Sequence, residues 1–111
     1  MTVWIAPTDE LVVGAWAQSA TLPADLLAAL VEAAQEGCEA YAPAVKLDEL
    51  GEPIIPSRYK LAVIQQARET WNAGKRDGDL ITTDAYAARA RELTASVRQL
   101  LRPKRGRPGV G

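Results

Sequence analysis

The chain has 111 residues, of which 48% are apolar and 24% are charged, which is the composition of a single folded domain with one hydrophobic core. It contains no histidine and one cysteine, Cys38, which excludes catalysis by histidine, zinc sites of the usual ligand sets and an intramolecular disulfide. The net charge of −1 conceals two opposite halves: residues 1–56 carry one base and nine acids, whereas residues 57–111 carry twelve bases and five acids.

The sequence contains no candidate membrane helix. Asp25, Glu32 and Glu36 interrupt its most hydrophobic region, so no stretch approaches the roughly 20 apolar residues that a membrane helix needs. The first ten residues lack the basic region and the long apolar core of a secretory signal. We therefore expect an intracellular protein.

A short N-terminal helix is predicted from about Thr8 to Ala17. Thr8 is a candidate cap, and Asp9 and Glu10 follow it in the first turn, where the helix dipole favours acids. Gly14 weakens this prediction because glycine lowers helix stability.

The first main helix is predicted from Pro23 to Pro43, because the first proline fits an initial helical turn and the second resists continuation. Its apolar residues recur at spacings of three and four and form one stripe. Cys38 lies on this stripe, so we predict that it is a small buried hydrophobic residue. The stripe comprises Leu27, Leu30, Val31, Ala34, Cys38 and Tyr41.

Residues 44–56 contain Gly51, Pro53 and Pro56 and have no sustained periodicity. They are predicted to form an irregular link of thirteen residues, a length typical of functional or mobile loops.

Two further main helices are predicted after this link. Ser57 is a candidate cap for the first of them, which we expect to end at Gly74, in the turn formed by residues 74–79. The last helix is predicted to begin at Asp84 or one of the preceding threonines and to continue unbroken to Pro103. Its apolar stripe comprises Tyr86, Ala90, Leu93, Val97 and Leu100 or Leu101.

These elements predict an all-α fold with three main helices, a short N-terminal helix, a long irregular link between the first and second main helices, and an extended basic tail. Residues 1–102 form the single predicted domain. Residues 103–111 are the predicted flexible tail, since their bases, glycines and prolines cannot bury enough apolar surface to become ordered alone.

No motif in the chain indicates a catalytic, cofactor or metal site. Residues 77–79 resemble the start of a calcium loop, but Ile81 and Thr82 occupy positions that need an oxygen ligand and a glycine, so a turn is favoured. Gly74 and Lys75 lack the remaining residues of a phosphate-binding loop. We therefore expect no enzyme and no cofactor. Trp4, Trp16 and Trp71 are predicted to be core or interface anchors.

The C-terminal region contains bases and, from Leu93 onwards, no acid. This imbalance favours a partner of negative potential, either an acidic protein surface or the phosphates of DNA. No zinc finger, basic zipper or aromatic RNA-binding signature accompanies these bases, so direct reading of base sequence is not supported. The candidate partner-binding residues are Arg98, Arg102, Lys104, Arg105 and Arg107.

The chain resembles the head-to-tail connector, or adaptor, proteins of long-tailed bacteriophages, most closely those from phages of actinobacteria. The resemblance covers about residues 21–107, and the N-terminal region with Trp4 and Trp16 departs from it. It lies in three segments, LLAALVEAAQEGCEAYAP, PSRYKLAVIQQARETWNAG and ELTASVRQLLRPKRGRPG.

The resemblance implies a structural virion protein of the neck, assembled in the host cytoplasm. Such proteins are mostly helical and form a ring, typically of twelve copies, beneath the portal. The ring extends the DNA channel, through which DNA passes without sequence-specific binding, and it contacts the next neck or tail connector. The C-terminal segment commonly reaches toward the portal, which would give the five candidate bases the role of docking to the portal protein.

Two other classes of function stay open. A DNA-binding accessory or regulatory protein would use the basic last helix and tail to bind the phosphate backbone. A small enzyme would have to work with carboxylates alone, with Asp77, Asp79 and Asp84 as candidates.

Overall fold

The computed structural model describes residues 3–77 and 83–102, except for the side chains of residues 75–77, 83 and 84. The described part is mainly helical and begins with a short helix, which confirms the predicted all-α fold. Its elements are α1 (Glu10–Ala15), a 3-10 helix (Ala17–Thr21), α2 (Ala24–Tyr41), β1 (Lys46–Leu47), β2 (Pro53–Ile54), α3 (Ser57–Asp77), α4 (Thr83–Ala90) and α5 (Ala95–Leu101).

Helix α1 is shorter than predicted and has a different cap. The Asp9 carboxylate, rather than the Thr8 hydroxyl, accepts a hydrogen bond from the backbone N–H of Leu11 at 2.9 Å. The helix ends at Ala15, and the chain then tightens into the 3-10 helix. Buried Val12 anchors α1 to the core.

The core lies between α2, which packs against α3 and α4, and α3, which also packs against α5. The predicted stripe of α2 faces this core, with its central residues buried and Leu27 and Tyr41 partly buried at its edges. Cys38 is fully buried, as predicted. The buried apolar residues of α2 and α3 are Leu30, Val31, Ala33, Ala34, Cys38, Tyr59, Ala62, Val63, Ile64 and Ala67.

The three tryptophans all pack in the core or against it. Trp4 stacks on Tyr59 with 5.0 Å between ring centroids, and Trp16 is buried. Trp71 is partly buried and packs against Tyr86 at 5.3 Å. The N-terminal segment that holds Trp4 is therefore part of the domain.

The link between α2 and α3 is more regular than predicted, because β1 and β2 pair as a short antiparallel hairpin. The Asp48 carboxylate closes the turn by accepting hydrogen bonds from the backbone N–H groups of Leu50 at 2.8 Å and Glu52 at 3.0 Å. Gly51 has a φ of 79°, a left-handed conformation that glycine adopts without strain.

Two predicted helix boundaries are wrong. Helix α3 continues past Gly74 to Asp77, and the helix predicted from Asp84 to Pro103 is divided into α4 and α5. The division occurs because Thr94 caps a new helix: its hydroxyl accepts a hydrogen bond from the backbone N–H of Val97. The predicted tail, residues 103–111, lies outside the described residues, as do residues 78–82, which include the end of the predicted turn.

Helix α2 approaches the end of α4 closely at Gly37. A Cβ atom at this position would lie 2.7 Å from the backbone oxygen of Arg91, which is closer than real contacts allow. We expect Gly37→Ala to lower the free energy of unfolding by about 1–3 kcal/mol, because the two backbones must move apart. Urea unfolding followed by circular dichroism measures this change.

Gly14→Ala is the matched control, since a Cβ atom at Gly14 has no neighbour within 4 Å. Alanine in this exposed helical position should raise the free energy of unfolding by about 0.5–1 kcal/mol. Equal effects of the two substitutions would contradict the close packing of α2 against the end of α4.

Cys38 makes stability depend on pH in the alkaline range. Burial raises the pKa of its thiol from 9.0 to about 12, with a contribution in the same direction from the negative charge of Glu39. The folded protein therefore keeps a proton that the unfolded chain loses. The stabilising contribution of this thiol is complete below pH 9 and falls as the pH rises toward 12.

We expect the unfolding free energy of the wild type to fall relative to that of Cys38→Ala as the pH rises above 9. The fall approaches about 1.4 kcal/mol per pH unit. Urea unfolding of both proteins at about pH 7 and about pH 10 measures it, and comparing the two proteins cancels the titration of tyrosines and lysines. An unchanged difference would contradict the burial of the thiol.

Candidate functional site

The position of α5 is set by a buried glutamine of α3. Gln66 is 1% exposed; its Nε2 donates to the backbone oxygen of Glu92 at 2.9 Å, and its Oε1 accepts from the backbone N–H of Thr94 at 3.2 Å. Both backbone groups lie in the break between α4 and α5, where no helical partner satisfies them. Gln66 therefore stabilises the break and fixes where α5 begins.

A polar cluster and two buried apolar residues hold α5 on α3. The Glu69 carboxylate accepts hydrogen bonds from the hydroxyl groups of Thr94 at 3.0 Å and Ser96 at 3.3 Å. Val97 and Leu101 are fully buried beneath the helix. Val97 and Leu101 turn one face of α5 toward the core, and Arg98 lies on another face, exposed to solvent.

Arg102 ties the end of α5 to the end of α2. Its Nε donates to the backbone oxygen of Tyr41 at 2.7 Å, and its guanidinium lies 5.1 Å from the centre of the Tyr41 ring. A cation at this position satisfies one of the free carbonyls at the helix terminus and complements the helix dipole. The last described residue of the chain is therefore held at a defined place, the C-terminal end of α2.

An open cleft of about 300 Å³ lies beside this contact. Arg91 and Arg98 line this cleft, and Arg102 contacts Tyr41 beside it; we call these three arginines the basic end. The Arg91 Nε lies 2.7 Å from the Glu36 carboxylate, with both side chains about half exposed, so Arg91 is partly neutralised. In the described part of the chain the Arg98 side chain has no acidic partner within salt-bridge distance. The cleft is lined by Gly37, Ala40, Tyr41, Arg91, Leu93 and Arg98.

The structure brings together two of the five predicted partner-binding residues. Arg98 in α5 and Arg102 directly after its end lie one turn apart, and both are exposed. Lys104, Arg105 and Arg107 lie outside the described residues. Sequence reasoning missed Arg91 and the role of Tyr41, because nothing in their spacing shows that α4, α5 and the end of α2 meet.

Residues 3–77 and 83–102 contain neither a cluster of metal ligands nor a membrane helix. No group of three His, Cys, Asp or Glu side chains there could hold a metal ion. No helix in those ranges is long and apolar enough to cross a membrane. The carboxylates of Asp77, Asp79 and Asp84, and the calcium-like segment 77–79, lie outside the side chains that the structure describes.

Comparisons of the chain with protein-family models, with curated proteins and with solved structures give no match. A function for this chain is therefore proposed from its own residues.

The hydrogen bonds of Gln66 predict a measurable local effect. Gln66→Ala leaves the backbone groups of Glu92 and Thr94 without partners, and we expect it to cost about 1–3 kcal/mol of unfolding free energy. In this variant, amide hydrogen exchange should accelerate more in residues 94–101 than in α2, relative to the wild type.

Gln65→Ala is the control, because Gln65 donates only to the exposed Ser96 hydroxyl, at 3.0 Å. This substitution should change stability by less than about 0.5 kcal/mol. If Gln66→Ala left hydrogen exchange in α5 unchanged, the proposed anchoring of α5 would be wrong.

Proposed function

We propose that the chain is a head-to-tail connector of a long-tailed bacteriophage. In this proposal it forms a ring beneath the portal, extends the DNA channel and joins the capsid to the tail through the next neck or tail protein. The helical fold is the one that the sequence resemblance implies, and the basic end supplies the docking surface. The protein acts as a mechanical part, without catalysis or cofactor, in the neck of the virion.

The observation that carries this proposal is the tie between Arg102 and Tyr41. The Arg102 Nε donates to the Tyr41 backbone oxygen at 2.7 Å, so the last described residue is held at the end of α2. The sequence that follows contains Lys104, Arg105 and Arg107. Arg98 lies exposed one turn before Arg102, so the end of α5 presents positive charge to a partner, and the sequence that follows carries three more bases. A negatively charged rim on the portal fits this arrangement.

A ring strengthens such docking because each of its subunits contributes the same contact. One exposed ion pair contributes about 0.2–1 kcal/mol, too little to hold a virion together. When each subunit of a ring offers the same contacts, the later ones form at a high effective concentration, and weak contacts add to a stable joint.

The opposite charges of the two halves also suit a ring. In a closed ring each subunit presents one surface to one neighbour and a different surface to the other. The acidic half of one copy and the basic half of the next are complementary in potential, which favours correct association.

The test is binding of the purified chain to purified portal rings of the phage that encodes it. We expect Arg98→Gln combined with Arg102→Gln to weaken binding by about tenfold or more, because the charge is lost in every copy of the ring. The control is Gln18→Glu combined with Ala20→Glu, which makes the same change in net charge on the exposed 3-10 helix and should leave binding unchanged.

Equal binding by the two double variants would contradict docking through the basic end. Binding to duplex DNA that falls steeply with salt, together with no binding to portal rings, would favour the DNA-binding alternative. Negative-stain images of the chain with portal rings provide the direct readout, since the proposal requires an added ring of density beneath the portal.

A further inference from the structure

The hairpin formed by β1 and β2 exposes large apolar side chains. Leu50 at its tip is 87% exposed, Leu47 is 63% exposed and Ile54 is 52% exposed. Three neighbouring apolar side chains in solvent on one short element are unfavourable for an isolated subunit, and such clusters mark interaction sites.

The hairpin is built to hold a fixed shape. Its turn is closed by the Asp48 carboxylate, and its base is anchored where Val45 and Ile55 pack against the core. The Tyr59 hydroxyl, at the start of α3, donates to the backbone oxygen of Pro43 at 3.3 Å and fixes the adjoining chain. An isolated hairpin of two-residue strands is only marginally stable, so the hairpin depends on these contacts to keep its tip in place.

The apolar residues of the hairpin lie on more than one side. Leu47 is paired with Pro53, whereas Ile54 is paired with Lys46, and paired residues share a face of an antiparallel hairpin. Adjacent residues of a strand point to opposite faces, so Leu47 and Ile54 point in opposite directions, with Leu50 at the tip. A flat partner surface could cover only one face of the hairpin. Burial of all three apolar side chains therefore requires a groove that receives the whole tip.

The same chain contains a suitable groove, bounded by α1, α3 and α5. It is open to solvent, has a volume of about 450 Å³ and includes apolar side chains from all three helices. Leu61 is 39% exposed at this site. Its apolar lining consists of Ala15, Leu61, Ile64 and Leu100.

The charges of the hairpin and the groove are opposite. The hairpin turn carries three exposed acids, Asp48, Glu49 and Glu52. The groove is lined by exposed Arg68, and Arg58 lies one turn before Leu61 on the same helix, whose first turn has no acid.

Glu69 also lines the groove, but its carboxylate accepts hydrogen bonds from Thr94 and Ser96. Its charge is therefore partly offset by those donors, and the exposed charge offered to an incoming group is mainly positive.

We propose that the hairpin of one copy inserts into the groove between α1, α3 and α5 of a neighbouring copy. Both surfaces are exposed in the single subunit, so neither is covered by the other within one chain. The contact is heterologous, because it joins different surfaces of two identical subunits, and repeating it generates a ring if the rotation closes. This inference rests on the proposed ring and names the contact that forms it.

The first test is chemical cross-linking with a bismaleimide between two single-cysteine positions. Leu50→Cys subunits are mixed with Leu61→Cys subunits that carry a small fused tag, so that mixed dimers differ in mass from either homodimer. We expect mixed dimers to dominate. Cys38 does not interfere because it is fully buried. The control replaces Leu61→Cys with Ala20→Cys, which is exposed on the 3-10 helix and should give no mixed product.

The second test is exchange of charge. Two double variants are compared: Glu49→Lys with Glu52→Lys on the hairpin, and Arg68→Glu in the groove with Arg58→Glu one turn before Leu61. Each should raise the concentration needed for assembly by about tenfold. A chain that carries all four substitutions should recover assembly, because its hairpin is then basic and its groove acidic, so the two surfaces are again complementary. General destabilisation of the subunit would not be repaired in this way, and light scattering measures the assembly.

The outcomes separate this contact from the proposed function. Rings that form without mixed cross-links and without charge recovery would overturn the hairpin contact alone. Mixed cross-links with no binding to portal rings would overturn the connector proposal and support the contact between copies. Absence of both rings and cross-links would contradict the two together.

Discussion

The arrangement of the C-terminal part of the domain depends on one buried amide. In the break between α4 and α5, the Gln66 side chain donates to the backbone oxygen of Glu92 and accepts from the backbone N–H of Thr94. A buried amide without these partners would be costly, and the broken helix without the amide would leave two backbone groups unpaired. Each therefore requires the other, and together they direct α5 across α3 so that Arg102 reaches the end of α2.

The periodic parts of the fold could be predicted from the sequence, whereas the break could not. The stripe of α2 contains enough apolar residues at helical spacing for its buried face to be identified, and Leu30, Val31 and Ala34 are buried as predicted. The spacing of Leu93 and Val97 continues that of α4, so periodicity alone favours one helix. The competing interaction comes from Gln66, 28 residues before Thr94, and local patterns carry no information about such a contact.

The candidate site was predictable in charge but not in geometry. The lack of acids after Glu92 identifies Arg98 and Arg102 as available cations. That Arg102 contacts the Tyr41 backbone, 61 residues away, follows only from the packing of α5. The hairpin was missed because two-residue strands have no period, although Asp48 followed by Gly51 and Glu52 is typical of a closed turn.

The opposite charges of the two halves of the chain lie on separate exposed surfaces of the domain. The acidic hairpin belongs to the first half of the chain and Arg68 of the groove to the second, so the proposed contact between copies would pair opposite charges from the two halves. The basic end, which lies at the α2 terminus rather than in the groove, is then left for a different partner. In the proposed connector, the contact between copies would precede docking, because docking through the basic end would gain strength only when many copies are already joined.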